Sequence, residues 1–175
     1  MLKLSATLQG LPIISLRTGG AIGKSTIPLI NPNNLKIEAL YCTSIYEKHT
    51  VLLPSPEIRE ISRLGIAVND HVALTNPEDL IRLKEFIAIN YTPIGKLVIT
   101  ENGKKVGKVE DYAVDLDSLY IVNLYVNPRA FKSLTQPPLT INRQQIVEIT
   151  DKRIIVSDVH GTVKVGATLP AAAQP

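Results

Sequence analysis

The sequence is poor in the residues that crosslink small proteins or bind metals. Its 175 residues include a single cysteine, Cys42, and no tryptophan, and aromatic residues make up only 5%. One cysteine excludes an internal disulfide and any paired-cysteine metal or redox motif. The three histidines, His49, His71 and His160, are scattered without the spacing of metal ligands. The low aromatic content also leaves no obvious platform for stacking bases.

Long apolar runs are missing as well. No segment approaches the roughly 20 apolar residues that a membrane-spanning helix needs. The N-terminal residues 1–7 lack the apolar segment and cleavage site of a secretory signal. We therefore expect a cytoplasmic protein. A net charge of +3 permits contact with RNA, a ribosome or an anionic surface without requiring it.

What the sequence does contain is an internal repeat. Residues 19–41 and 103–125 share 7 identities in 23 positions at an offset of 84, without a gap. The identical pairs include Gly23 with Gly107. Similarity over a stretch this long predicts a duplicated structural unit.

A second repeat lies further along the chain. Residues 53–70 and 141–158 share 6 identities in 18 positions at an offset of 88. The change of offset requires an insertion, which falls where Asn127–Leu134 has the pattern of a short helical insert. Loops accept insertions more readily than strands do, so this placement supports the alignment.

Both repeats consist of short alternating segments separated by turn residues. Leu35–Leu40 alternates apolar and polar residues, which is the period of a half-buried strand. Asn31–Asn34 and Asn102-Gly103 are strong turn signals. The pattern predicts a mainly β protein with two small β-barrels in tandem. A final strand is predicted over Val159–Val165.

The segment between the two repeats has helical character. Asn76 suits the N-cap position and Pro77 the first helical position. An apolar stripe follows at helical spacing: Leu80, Leu83 and Ile87. The predicted organisation is a first barrel at 1–75, a linker helix at 76–88, a second barrel at 89–165 and a flexible tail at 166–175.

The motifs occur in the same order in each half. In the second half they are Val106–Val109, Asp115–Asp117, Ile146–Ile149 and Ile154–Val156. In the first half they are Ile22–Ser25, Asn31–Asn33 and Ile58–Ile61. This ordered set resembles the PRC-barrel domain family. Its barrel occurs in the H subunit of the photosynthetic reaction centre and in the C-terminal domain of the ribosome maturation factor.

The resemblance implies a binding or assembly module, not a catalyst. Two departures limit what it carries over. The H subunit is anchored by a transmembrane helix, which this sequence lacks. The ribosome factor has a different domain before its barrel, where this chain has another PRC-like unit. Neither specific role transfers to this chain.

A Gly-Lys-Ser-Thr sequence at residues 23–26 raises a nucleotide-binding alternative. A phosphate loop needs an earlier glycine where Thr18 stands, and it leads into a helix. Here Ile27-Pro28 and a turn follow instead. We interpret the segment as part of a hairpin strand.

Four lysines cluster around the second hairpin: Lys96, Lys104, Lys105 and Lys108. They are candidate contacts for RNA phosphate or a protein partner. Neighbouring acidic residues dilute the charge, and the favoured alternative is a solvated hairpin.

Other polar residues yield no catalytic, cofactor or metal set. Asp115 and Asp117 suit either a bound cation or a turn that caps its own backbone. The turn is favoured because the equivalent Asn31 and Asn33 carry no charge. Cys42 is predicted to be a buried small apolar residue.

Three functions are therefore open. The first is a non-catalytic adaptor that binds a protein partner of unknown identity, with a homo-oligomer also compatible. The second is a ribosome- or RNA-associated maturation factor, motivated by the basic pI and the lysines. The third is a nucleotide- or small-molecule-binding enzyme, which depends on the imperfect Gly-Lys-Ser-Thr sequence.

Overall fold

A computed structural model describes residues 1–128 and 138–157 of the chain, and its architecture is mainly β. The predicted helical insert through Leu134, the strand Val159–Val165, the tail at 166–175 and His160 lie wholly or partly outside these residues.

Within the described residues thirteen strands build two sheets. The strands up to the linker are β1 (Leu2–Leu4), β2 (Pro12–Ser15), β3 (Ala21–Asn31), β4 (Lys36–Ser44), β5 (Val51–Pro54), β6 (Ile58–Ser62) and β7 (Gly65–Val68). Those after it are β8 (Leu97–Thr100), β9 (Lys105–Asp115), β10 (Ile121–Asn127), β11 (Leu139–Asn142), β12 (Ile146–Ile149) and β13 (Arg153–Val156).

The two halves share one topology. The order is β5-β4-β3-β2-β7-β6 in the first sheet and β11-β10-β9-β8-β13-β12 in the second. The parallel pair β2–β7 corresponds to the parallel pair β8–β13. The prediction of a mainly β chain with two small β units in tandem is confirmed. Within the described residues no ladder joins β5 to β6 or β11 to β12, so hydrogen bonding leaves both sheets open.

A close approach of two strands explains the repeated glycine. A Cβ atom at Gly23 would lie 2.1 Å from the carbonyl oxygen of Thr43. A Cβ atom at Gly107 would lie 2.4 Å from the carbonyl oxygen of Asn127. Both distances are impossible for a side chain, so each long strand needs glycine where it crosses its neighbour.

The linker is less helical than the sequence predicts. Two 3-10 turns, Pro77–Asp79 and Ile81–Leu83, precede an α-helix, α1, that spans only Lys84–Ile89. Leu80 leaves the helical region between the turns, with φ −90° and ψ 68°. The side chain of Asn76 caps nothing and instead meets His49. The short helix is confirmed, but its predicted extent over 76–88 is wrong.

The linker covers the outer face of the first sheet. Leu29, Ala39 and Leu52 point away from the main core and are almost completely buried. The residues packed around them include the linker side chains Leu80, Leu83, Phe86 and Ile87. The apolar stripe that suggested one long helix therefore serves as a cover for β3, β4 and β5.

The first strand of the chain belongs to the second sheet. β1 pairs antiparallel with the end of β9, with Leu2 opposite Asp115 and Leu4 opposite Ala113. The Ser5 hydroxyl then donates to Asp111 at 2.6 Å. One hydrophobic cluster also runs through both halves. The domain boundary predicted at residue 75 stays a prediction, because β1 precedes it in sequence but joins the second sheet.

The two halves meet at a seam that is nearly two-fold symmetric. The Ile37 amide donates to the Leu119 carbonyl at 2.9 Å, and the Ile121 amide donates to the Leu35 carbonyl at 2.9 Å. The offset of 84 converts one bond into the other. Lys36 bridges to Tyr120, its own equivalent, so a local two-fold axis passes between them.

No helix in residues 1–128 and 138–157 is long and apolar enough to cross a membrane.

Candidate binding surfaces

The four predicted lysines do not form one equivalent set. Lys96 is half-buried just before β8. Its amino group donates to the Asp151 carbonyl and lies 5.3 Å from the ring centroid of Tyr91. The chain's own groups therefore hold this ammonium in place.

The other three lysines stand on the β8–β9 hairpin and are exposed. Lys104 follows a tight turn in which the Gly103 amide donates to the Thr100 carbonyl at 2.8 Å. Lys105 begins β9, and Lys108 lies in its middle, opposite Leu97. The structure thus brings Lys104, Lys105 and Lys108 together as a basic hairpin. Lys96 contributes less to this surface than its position in the sequence suggests.

The Gly-Lys-Ser-Thr sequence lies inside β3. The Ser25 hydroxyl is buried, donates to the Leu8 carbonyl at 2.6 Å and accepts from the Leu11 amide at 3.1 Å. The Thr26 hydroxyl donates to the Tyr41 carbonyl at 2.9 Å. Both hydroxyls are used to join the segment to its neighbours, so the extended strand provides no phosphate-binding loop.

An exposed apolar surface lies at one end of the first half, which the sequence reasoning missed. We call it the apolar end: Leu16, Ile45, Tyr46 and Val72. Their exposed fractions are 60, 66, 57 and 73%. The Leu16 amide donates to the Val68 carbonyl, and the Ile45 amide donates to the Ile22 carbonyl. Leu16 and Ile45 therefore sit where β7 and β4 end beside the start of β3.

Charged residues connect the parts of the apolar end. Arg17 donates to Asp70 at 2.6 Å, and His71 contacts the same carboxylate. The His71 ring lies 5.3 Å from the ring of Tyr46. The Arg17 hydrogen bond lowers the pKa of Asp70 to about 2. The carboxylate stays ionised at neutral pH, and this triad links the loops that carry Leu16, Tyr46 and Val72.

A pocket opens at the seam between the halves, and its volume is about 310 Å³. The first half contributes the β3–β4 turn and the second half contributes the segment around β12. Its lining residues are Asn33, Asn34, Leu35, Arg143, Gln144, Ile146 and Ile149. Nε of Arg143 donates to the Asn34 carbonyl at 3.1 Å, and its guanidinium carbon lies 4.3 Å from the ring centroid of Tyr120.

Comparison with protein families is decisive for the second half. Residues 90–163 match the model of the PRC-barrel domain. The second half is a PRC-barrel domain. The first half lies outside the match, but its strands follow the same order, so the fold comprises two PRC-type units. Compared with curated protein sequences, the chain has no match.

In the PRC-barrel domain the two turn aspartates serve the chain itself. Asp115 accepts from the Ser118 hydroxyl at 2.8 Å and from the Met1 amino group at 2.7 Å. Asp117 also accepts from this amino group. These contacts lower the pKa of Asp115 to about 2. Within the described residues no group of three or more His, Cys, Asp or Glu side chains is arranged to hold a metal ion.

Cys42 is fully buried in β4, as predicted. Burial raises the pKa of its thiol to about 12. A protonated, inaccessible thiol is a poor nucleophile, so Cys42 acts as a packing residue.

Proposed function

We propose that this chain is a non-catalytic adaptor in which the apolar end of the first PRC-type unit binds a protein partner. PRC-barrel domains generally carry no catalytic activity, which supports an assembly role. The observation that carries the proposal is the grouping of four large apolar side chains, each more than half exposed, at one end of one sheet.

The composition of the apolar end suits a protein interface. Single exposed apolar residues are normal on soluble proteins, whereas contiguous groups mark binding sites. Tyr46 offers a large ring with a polar tip, a type enriched among residues that dominate binding energy. Arg17 and Asp70 supply a polar rim beside it, as protein interfaces commonly have.

Affinity purification with paired variants tests this proposal. The tagged chain is captured from native cells alongside Tyr46→Ser/Val72→Ser. We expect a reproducible partner with the wild type and its loss with the double variant, because the apolar area buried in the complex is removed.

Leu64→Ser is the matched control. Leu64 is 80% exposed but precedes β7, at the end of that strand opposite Leu16. It should retain the partner. Equal capture by all three proteins would refute a role for the apolar end. Light scattering that shows wild-type dimers and monomeric Tyr46→Ser/Val72→Ser would instead assign the surface to a second copy of the chain.

The basic hairpin supports a second candidate function, binding to RNA or to a ribosomal particle. Lys104, Lys105 and Lys108 are exposed on one hairpin of the PRC-barrel domain. Lysine contacts to phosphate release counterions, so such binding weakens steeply as salt rises.

Co-sedimentation with ribosomal particles at low and high salt tests the second candidate. Lys104→Glu/Lys105→Glu should abolish salt-sensitive association, whereas Lys48→Glu/Lys84→Glu, on exposed residues before the PRC-barrel domain, should not. No association at low salt would reject this candidate and leave the adaptor proposal untouched.

A further inference from the structure

The pocket at the seam has the composition of an anion site with an apolar wall. We propose that it binds an aliphatic carboxylate, meaning a carboxylate group attached to a short aliphatic chain. Such a group occurs in free branched-chain acids and at the C-terminus of a peptide that ends in valine or leucine. The proposal does not depend on the adaptor function, because the apolar end lies elsewhere on the first half.

Arg143 is held in a defined orientation. Its Nε bond to Asn34 and its stacking over Tyr120 fix the guanidinium plane. Among the described residues no acidic side chain forms a salt bridge with it. A planar guanidinium matches the two oxygens of a carboxylate, and its ordering is already supplied by Asn34 and Tyr120.

The rest of the pocket selects what is attached to the carboxylate. Leu35, Ile146 and Ile149 form an aliphatic wall, and Asn33 and Gln144 add side-chain amides. A volume of about 310 Å³ is at the lower end for ligand sites, so the pocket suits a group of few atoms. One cation beside an aliphatic wall favours a carboxylate over a phosphate, which usually attracts several cations or amides.

The pseudo-symmetric position in the other half provides an internal comparison. At the offset of 84, Asn33 corresponds to Asp117, and at the offset of 88, Arg143 corresponds to Ser55. That position therefore has an anion where the pocket has an amide, and a hydroxyl where the pocket has a cation. Among these four corresponding residues, only Arg143 is positively charged.

A titration followed by ¹H–¹⁵N NMR tests the proposal. The probes are isovalerate, its neutral analogue isovaleramide, a short peptide ending in valine, and the same peptide amidated at its C-terminus. We expect saturable shifts in the amides of residues 33–35 and 144–146 with the two acids. Isovaleramide and the amidated peptide should bind at least about tenfold more weakly, because the charge-assisted hydrogen bonds are lost. Tighter binding of isovalerate or of the acid peptide identifies the source of the carboxylate.

Three variants complete the test. Arg143→Gln should weaken isovalerate binding at least about tenfold. Asn33→Asp should also weaken it, because it places an anion in the pocket, and the equivalent turn already contains Asp117. Arg59→Gln is the matched control, since Arg59 is an exposed arginine bonded to Asn69 on the first sheet, and it should leave affinity unchanged.

Several results would overturn the proposal. These are no saturable shift with either acid, equal binding of acid and amide, or unchanged affinity in Arg143→Gln. If Arg143→Gln does not fold, Asn33→Asp decides, and its full retention of isovalerate binding rejects the site.

Discussion

The two halves of this chain have the same strand order and different exposed surfaces. The first half has apolar residues in two places. Those on its outer face are covered by the linker, and those at one end are exposed to solvent. The second half has lysines and amides at corresponding places, such as Asn123 where the first half has Ala39. The comparison shows that inward positions and turn glycines specify the shared backbone. Outward positions decide what each unit contacts.

The outer faces show this in detail. Leu29, Ala39 and Leu52 of the first half correspond to Ala113, Asn123 and Thr140 of the second. An apolar outer face needs a cover, and the linker provides it. Beside the second outer face, the edge of β9 at Ala113 pairs with β1 instead. A segment from outside its own repeat thus contacts each half.

The largest expected effect comes from the glycines that the halves share. Gly23→Ala and Gly107→Ala should each destabilise the protein by about 3 kcal/mol or more, because the new Cβ atom meets backbone rather than a movable side chain. Urea denaturation measures the change. Gly103→Ala is the control, since it has open space and a φ of +79° and should cost only about 1–2 kcal/mol. Equal losses at Gly103 and Gly107 would contradict the crossing argument.

A smaller effect is expected where the halves differ inside the core. Ser25→Ala should cost about 2 kcal/mol, because the Leu8 carbonyl and the Leu11 amide lose their buried partner. The equivalent residue in the second half is Val109, which makes no such bonds. Chemical denaturation compares the loss of unfolding free energy in Ser25→Ala with that in Ser118→Ala, a control at an exposed site. A loss at Ser25 below that at Ser118 would show that the hydroxyl is dispensable.

Truncating a linker side chain that covers the first sheet should destabilise the first half only. Phe86→Ala should destabilise by about 1–2 kcal/mol, since this half-buried ring packs against the outer face of the first sheet. Hydrogen exchange should accelerate in β3–β5 and change little in β9–β11. Lys84→Ala, on an exposed residue of the same helix, serves as the control. Uniform acceleration in both sheets would mean that the shared core transmits the loss and would weaken the contrast between the halves.

The smallest effect concerns pH. The folded pKa of Asp70, about 2, lies below the ordinary unfolded value of about 4. The stabilisation by Arg17 is therefore complete above about pH 5 and is lost as pH falls towards 2. In Arg17→Gln the decline in unfolding free energy between about pH 5 and 2.5 should be shallower. In the second half Glu101 occupies the position of Arg17. Glu101→Gln should therefore not make the decline in unfolding free energy shallower in the way that Arg17→Gln does. An unaltered decline in Arg17→Gln would contradict the ion-pair account.

The sequence predicts the backbone better than the surfaces. The spacing of glycines, turn asparagines and aspartates is a local signal, and it predicts the two units, β3 and β9 included. The linker differs from the predicted long helix, although Leu80, Leu83 and Ile87 have helical spacing. In the structure two 3-10 turns and a short helix pack these side chains against Leu29 and Leu52.

The candidate sites depend on contacts between distant residues, which no local pattern encodes. Arg143 follows the insertion, in the segment where the offset between the repeats is 88 instead of 84. Its contact with Asn34 therefore joins residues that are distant in sequence and lie on opposite sides of the seam. Leu16, Tyr46 and Val72 share no local sequence pattern, and only the fold places them at one end. The exposed lysines were found because they are adjacent in sequence, whereas the tether on Lys96 required Asp151.

The position of β1 has a consequence for how the chain folds. Leu2–Leu4 is synthesised long before its hydrogen-bonding partners, Ala113–Asp115. The first sheet can form early from its own strands, while its preceding residues wait for β9. A pairing between such distant segments is a slow, late step. The two leucines of β1 therefore stay without their partner strand until β9 has been synthesised.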